Sequence, residues 1–493
     1  MLTRSSWCAA AVALTLPSFA GAAAATPGTL SWQPCGQGEC SSVEVPVDWS
    51  HPDGAKMDIA IGRLPATDPQ HRIGVLFVPP GGPGASGIDT YVLGGDKIAR
   101  LRRNFDIVSW DQRGVKRSGE VRCSEDLLDR APKDFPATEQ QYRALLDYNA
   151  RLGADCRAHT GPVFDFVDTT SAVRDLDAIR GALGEDELSF YGASYGTQVE
   201  QQYAELFPHR VRAMVADSNM DHGMTSGGRY IETTSADLEG SFSEFADWCE
   251  RTANCPLHGR DVRAVWDGLH ARAEAGRLTD PATGRPLTAE ALRSEALEAM
   301  YRPEERWYPF AERLKALQAG TPAASAQAAP ALAQNSYQAI WCEDWNWQVR
   351  DFAELRSWRD RAAEVAPHTR LSPFFSDVTA CLGWPAEVRN PQHRLSISGT
   401  PPILVVTGKY DVATPNAWNR AVAEQIPHSV LLEHDGIGHG QYYRNDCVTG
   451  RVEDYLTTLR TPPPNTHCPA AWPAEPPPAA KSAPPPRRPA HTA

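Results

Sequence analysis

Gly192-Ala193-Ser194-Tyr195-Gly196 sets a serine hydroxyl between two glycines. Such a hydroxyl is a weak nucleophile until a base takes its proton, and neutral imidazole is suited to this near pH 7. A buried carboxylate that fixes the imidazole tautomer completes the set. Downstream, Asp411 follows the apolar run Pro402-Ile403-Leu404-Val405-Val406-Thr407-Gly408, and His439 sits within Gly436-Ile437-Gly438-His439-Gly440. Serine, acid and histidine thus occur in that chain order, each just beyond a strand-like run. The chemistry such a set performs is acyl transfer, with Ser194 as nucleophile, His439 as general base and acid, and Asp411 orienting the ring. A second glycine-rich stretch, Pro79-Pro80-Gly81-Gly82-Pro83-Gly84-Ala85-Ser86-Gly87, leaves backbone N–H groups accessible. Gly82 from that loop, with the N–H of Tyr195, would meet an oxyanion. No Gly-Lys-[Ser/Thr] follows, which argues against a phosphate loop.

The surrounding segments have the periodicities needed to hold these groups. Glu187–Tyr191 reads as a strand feeding a tight turn, and Thr197–Ala204 as a breaker-free helix. Residues 42–47 and 57–62 alternate as strands. Gly74–Val78 is continuously apolar, as in a parallel strand buried on both faces. Phe105–Trp110 is a further strand and ends in Asp111-Gln112-Arg113-Gly114. Asp111 and Arg113 suit a structural salt bridge beneath the site loops better than catalysis. Residues 136–160 read as an exposed helix. A second helix spans Val173, Leu176, Ile179 and Leu183, with N-cap residues at Asp168-Thr169-Thr170 and a stop at Gly184. Strands follow at 211–217, 402–408 and 429–433. Between the first two, residues 219–390 turn helical and carry eight of the 14 tryptophans, at 248, 266, 307, 341, 345, 347, 358 and 384. Those rings suit a core or a cleft lining. Ala316–Ala333 is rich in Ala, Gln and Pro and reads as a surface loop.

A chain of 493 residues with 42% hydrophobic and 22% charged residues is globular in composition and exceeds one simple core. The net charge of −13 and the lack of a basic cluster exclude nucleic acid as an expected partner. Arg4, the apolar run Trp7–Phe19 and the small residues 20–25 form a cleavable export signal, too short to span a bilayer. Its removal takes Cys8 and leaves ten cysteines, an even number with no C-x-x-C pair. That favours disulfides over zinc. Sequence does not fix connectivity; pairing of neighbours is the expectation, as Cys35–Cys40, Cys123–Cys156, Cys249–Cys255, Cys342–Cys381 and Cys447–Cys468.

Pro80-Gly81-Gly82-Pro83-Gly84, Asp111-Gln112-Arg113-Gly114-Val115, Tyr191–Thr197, Gly408-Lys409-Tyr410-Asp411 and Gly438-His439-Gly440 together resemble the prolyl-aminopeptidase family of α/β-hydrolases. More narrowly, the chain is similar to its secreted tripeptidyl-aminopeptidase-like branch over nearly all of residues 30–470. The resemblance departs at Pro80, where many relatives carry His or Asn. It implies an α/β-hydrolase fold, with a mostly parallel central sheet and an inserted helical cap. The divisions are a signal peptide (1–25), a core in two parts (26–218 and 395–468), a cap (219–394) and a disordered Pro/Ala-rich tail (469–493). The implied activity is release of short peptides, often tripeptides, from free N-termini, without metal or other cofactor, by a secreted protein not inserted in a membrane. An exopeptidase needs negative charge for the substrate ammonium, and Glu343 and Asp344, within Trp341-Cys342-Glu343-Asp344-Trp345, are the candidates. A secreted carboxylesterase or lipase-like hydrolase would use the same triad with an apolar acyl pocket, and a non-catalytic binding protein is the remaining alternative.

Overall fold

The computed structural model describes residues 30–94, 98–132, 134–320 and 334–473. The expected export signal, most of the Ala/Gln/Pro-rich stretch and the tail from residue 474 lie outside these. Among the described residues ten strands form one sheet: β1 (Gln33–Cys35), β2 (Gly38–Pro46), β3 (Lys56–Leu64), β4 (Gly74–Phe77), β5 (Phe105–Trp110), β6 (Leu188–Ser194), β7 (Val211–Asn219), β8 (Leu404–Tyr410), β9 (Val430–Ile437) and β10 (Thr466–Cys468). Their order is β1-β2-β3-β5-β4-β6-β7-β8-β9-β10. The three pairings from β1 to β5 are antiparallel, and every pairing from β5 through β10 is parallel. A mostly parallel sheet must be covered on both faces, which accounts for the unbroken apolar run in β4. Val75 and Phe77 enter one core, while Leu76 and Val78 enter the other. Successive side chains point to opposite faces, so one strand serves both layers.

The helix before β6, Thr169–Leu183, starts where the Asp168 side chain accepts the Ser171 N–H at 2.8 Å. It stops at Gly184, whose φ of 75° suits a residue without Cβ. Arg113 and Asp175 pair at 2.6 Å beneath it, both fully buried, and Arg113 also donates to the carbonyls of Pro46, Val47 and Phe166. Asp111 pairs separately, accepting from Arg117 at 2.7 Å and from the hydroxyl of Ser86 in the glycine-rich loop. The expected structural bridge is therefore two bridges.

Between β7 and β8 the described chain is helical: Gly227–Arg251, Val262–Glu274, Ala289–Tyr301, Pro303–Ala319, Ser336–Asp344, Phe352–Val365 and Phe375–Thr379. The Ala316–Ala319 end of the stretch expected as a loop is the last turn of one of these helices. Leu238 to Leu317 supplies most of a second core, centred on Trp248, Trp266 and Trp307, which also takes in Val412 and Ile437 beside β8 and β9. The later helices instead pack Trp341, Trp345, Trp347 and Trp358 into the same cluster as Val199, Met220 and Trp418 of the sheet layer. Both parts of the inserted helices thus share a core with the base. All eight tryptophans of this region are buried. The ten cysteines form five bridges between sequence neighbours, as expected. No helix among the described residues is long and apolar enough to cross a membrane.

Candidate active site

Ser194 ends β6 and caps the helix Tyr195–Leu206 with φ 60° and ψ −133°, a conformation that a non-glycine residue holds only when its surroundings impose it. The flanking glycines show what imposes it. A Cβ at Gly196 would lie 2.6 Å from the Pro79 carbonyl oxygen, and one at Gly192 would lie 2.7 Å from the Glu200 carboxyl. The elbow is pressed against the glycine-rich loop above and its own helix below. At Gly81 a Cβ would stand 3.5 Å from Ser194 Cβ, so this loop faces Ser194, and the Gly82 N–H follows directly in the chain. Tyr195 N–H opens the elbow helix, where the first N–H groups have no intrahelical acceptor and carry the positive end of the dipole.

Asp411 directly follows β8 and His439 lies just beyond β9, as anticipated. His439 Nδ1 lies 2.8 and 3.0 Å from the two oxygens of Asp411, which is fully buried. The same carboxylate accepts the N–H groups of Ala413 and Thr414 and the Thr414 hydroxyl. Burial alone would raise its pKa, but the His439 charge and these hydrogen bonds hold it below the usual value. Ser194 and His439 are each partly exposed, whereas Asp411 is not.

Strand β7 lies between the serine and acid strands, and its end was not singled out in the sequence. Ser194 is in register with Asn219 there. Asp217, fully buried, accepts the backbone N–H groups of Gln441 and Tyr442 and the Tyr191 hydroxyl; Ser218 accepts the Gly440 N–H. These bonds tie the histidine loop to the end of β7, next to the elbow. The only sequence signal was an acid at the end of a strand, which many strands share.

Glu343 and Asp344 do not reach a cleft. Both are fully buried. Asp344 accepts Thr169 N–H and hydroxyl and the amides of Asn390 and Gln198, while Glu343 accepts Val167 N–H. Their physical task is to satisfy the chain leading into Thr169–Leu183, and this corrects their expected role toward a substrate amine. Burial pushes the carboxyl of Asp344 up to about 7 despite these donors. That of Glu343 is pushed well above its usual value, first by burial and then by the charges of Asp168 and Asp344.

Other cap residues do border the site. The Tyr301 ring meets the His439 imidazole edge-on, with centroids 5.2 Å apart. A Cβ at Gly84 would lie 2.9 Å from Tyr337 N, so the start of Ser336–Asp344 rests on the glycine-rich loop. Tyr337 begins a stack that continues through Trp341, Trp345 and Trp347. Its hydroxyl and that of Tyr230 donate to Asp377 at 2.8 and 2.6 Å. Burial raises the Asp377 carboxyl to about 6 in spite of these two donors. Tyr301 lies in the field of Asp411, Glu298 and Asp377.

The profile of the TAP-like protein family matches residues 370–468. Serine protease Hip1 of Mycobacterium tuberculosis is 31% identical, the match covering 89% of this chain and 91% of that protein. Tripeptidyl aminopeptidase of Streptomyces lividans is 30% identical, over 90% and 87% of the two chains. Carboxylesterase B of M. tuberculosis is also 30% identical, over 92% and 95%. Among solved structures, proline iminopeptidase of Mycobacterium smegmatis aligns with a TM-score of 0.39 at 16% identity, covering 84% of this chain and 97% of that one. The chain is a serine hydrolase of the α/β-hydrolase fold and belongs to the tripeptidyl-aminopeptidase-like family.

Proposed function

We propose that the protein is an exported exopeptidase that releases short peptides, tripeptides foremost, from free N-termini through an acyl-enzyme on Ser194. The observation that carries the chemistry is the Asp411–His439 contact, in a loop tied to the end of β7 with which the strained Ser194 is in register. His439 Nε2 takes the Ser194 proton as Oγ attacks the scissile carbonyl, and returns it to the leaving amine. Asp411 keeps the proton of the imidazole on Nδ1 and stabilises the imidazolium. The N–H groups of Gly82 and Tyr195 receive the oxyanion, each worth about 3–4 kcal/mol in the transition state. Water then repeats the sequence on the acyl-enzyme. Export is supported by the leader sequence and the five disulfides.

Length restriction is ascribed to the cap, whose Tyr301 and Tyr337 border the nucleophile's surroundings from two sides. Glu343, Asp344 and Asp377 are all buried and committed to internal donors, so the group that meets the substrate ammonium is not assigned to any of them. The Carboxylesterase B relative, equally similar, supports an ester hydrolase as second reading. A tripeptide p-nitroanilide, its N-acetylated form and a short p-nitrophenyl ester separate the two. The exopeptidase turns over the free-amine peptide best. Turnover of the ester only selects the esterase. Ser194→Ala is expected to lower kcat by about four to six orders of magnitude on either substrate and to abolish labelling by a fluorophosphonate. Undiminished labelling would overturn both.

A further inference from the structure

We propose that Arg444 is a positioning residue that makes the placement of His439 depend on a docked cap, resting on the reading of His439 as the general base. The helix Ala289–Tyr301 ends at Tyr301, and after Arg302 a new helix opens at Pro303. Carbonyls in a last turn lack intrahelical donors. That of Tyr301 turns to the base, where it accepts the His439 N–H at 3.1 Å and Arg444 Nη2 at 2.7 Å. The same Nη2 donates to the His439 carbonyl at 2.7 Å, and Nε donates to the Gly440 carbonyl at 2.9 Å. Nη1 pairs with the carboxylate of Glu304, on the first turn of the next cap helix. Both backbone groups of His439 are therefore tied to one cap carbonyl, one directly and one through the guanidinium.

Two features mark this as a built arrangement. The Arg444 side chain is only 6% exposed, so its charge depends on these four acceptors rather than on water. Gly438, at φ 111°, leaves the space: a Cβ there would lie 2.8 Å from Arg444 Cζ. The neighbours of His439 are held by the base, Gly438 N–H by the Tyr410 carbonyl and Gly440, Gln441 and Tyr442 by Ser218 and Asp217. The backbone of His439 itself is held by the cap and by Arg444. A cap that swings away strips the Tyr301 carbonyl from the His439 N–H and leaves Arg444 with two of its four acceptors, those of His439 and Gly440. Lysine cannot substitute, because a single ammonium does not span three carbonyls and a carboxylate in the fixed fork of a guanidinium.

The test measures the rate at which a small fluorophosphonate labels Ser194, a readout indifferent to peptide or ester preference. Arg444→Met is expected to slow labelling about 10- to 100-fold, the scale of an ångström-level misplacement. Millimolar guanidinium restores much of the rate, whereas an alkylammonium does not. Arg444→Lys stays slow, and Glu304→Gln loses only a few-fold because three acceptors remain. With a tripeptide p-nitroanilide the loss falls on kcat, with KM little changed. Should Arg444→Met not fold, Arg444→Lys and Glu304→Gln carry the comparison. Unchanged labelling in folded variants overturns the proposal, as does a loss that follows the fall in Tm and is not rescued by guanidinium. A wild-type protein that is not labelled, or one whose labelling survives His439→Ala, instead overturns the triad.

Discussion

Gly196 shows how closely the proposed nucleophile and oxyanion loop are set by single atoms. The atom that an added Cβ would meet, 2.6 Å away, is the backbone oxygen of Pro79, and backbone has no rotamer with which to yield. Gly196→Ala should push the 79–87 loop off Ser194 and misplace the Gly82 donor. We expect kcat to fall by about 100-fold or more with a smaller change in KM, since the donor acts on the transition state. Gly181→Ala is the matched control. It lies in the helix before β6 with open space around its Cβ position, and should be neutral or stabilising by up to about 1 kcal/mol. Equal activity of both variants would refute the close approach as a determinant. The serine, aspartate and histidine were legible because each follows an apolar run with its own glycine punctuation. Asp217 and Arg444 were not, because their partners are backbone groups hundreds of residues away or on a cap whose docking no local pattern encodes.

At the scale of elements, strands announced themselves where both faces are buried, and the helix Thr169–Leu183 through its cap residues. The two outermost strands, β1 and β10, have three residues each and no alternation to read. The cap helix Ser336–Asp344 misled for a physical reason. Adjacent carboxylates among tryptophans suggest a cation site, yet a helix end that is fully buried turns such groups toward unpaired N–H donors. Its Glu343 retains one carboxyl oxygen without a partner. With a folded pKa above the unfolded one, Glu343 contributes stability in its protonated form, full below the ordinary carboxylate range and lost as pH rises toward the raised folded value. Glu343→Gln keeps the acceptor for Val167 and removes the titration. Wild-type Tm should therefore fall more between pH 5 and 8 than that of the variant, by about 1.4 kcal/mol of stability for each unit of upward shift within that window. Parallel Tm profiles would mean that Glu343 ionises in the fold without cost.

Across the whole molecule, the sheet supplies the proposed acyl-transfer groups and the inserted helices the proposed control of access, and the disulfides are distributed between these two parts. Cys342–Cys381 bridges a separation of 39 residues within the cap and joins the helix carrying Tyr337 to the segment just after Asp377. Cys35–Cys40 spans 5 residues at the opposite end of the sheet, across the β1–β2 pair. Loop entropy grows with the length closed, so the first bridge is worth about 4 kcal/mol and the second about 2. Replacing each pair by serine should lower the denaturant midpoint in that order. The two should also differ in kind. Without Cys342–Cys381, the helix start at Tyr337 that rests on the glycine-rich loop loses its covalent frame, and KM for a free-amine tripeptide should rise while ester hydrolysis is retained. Without Cys35–Cys40, stability falls and kcat/KM stays as in the wild type for both substrates. Denaturation midpoints with parallel peptide and ester kinetics read both effects. If the two variants lose peptide and ester activity alike, the cap bridge serves stability alone, and substrate choice must be set by groups on the sheet.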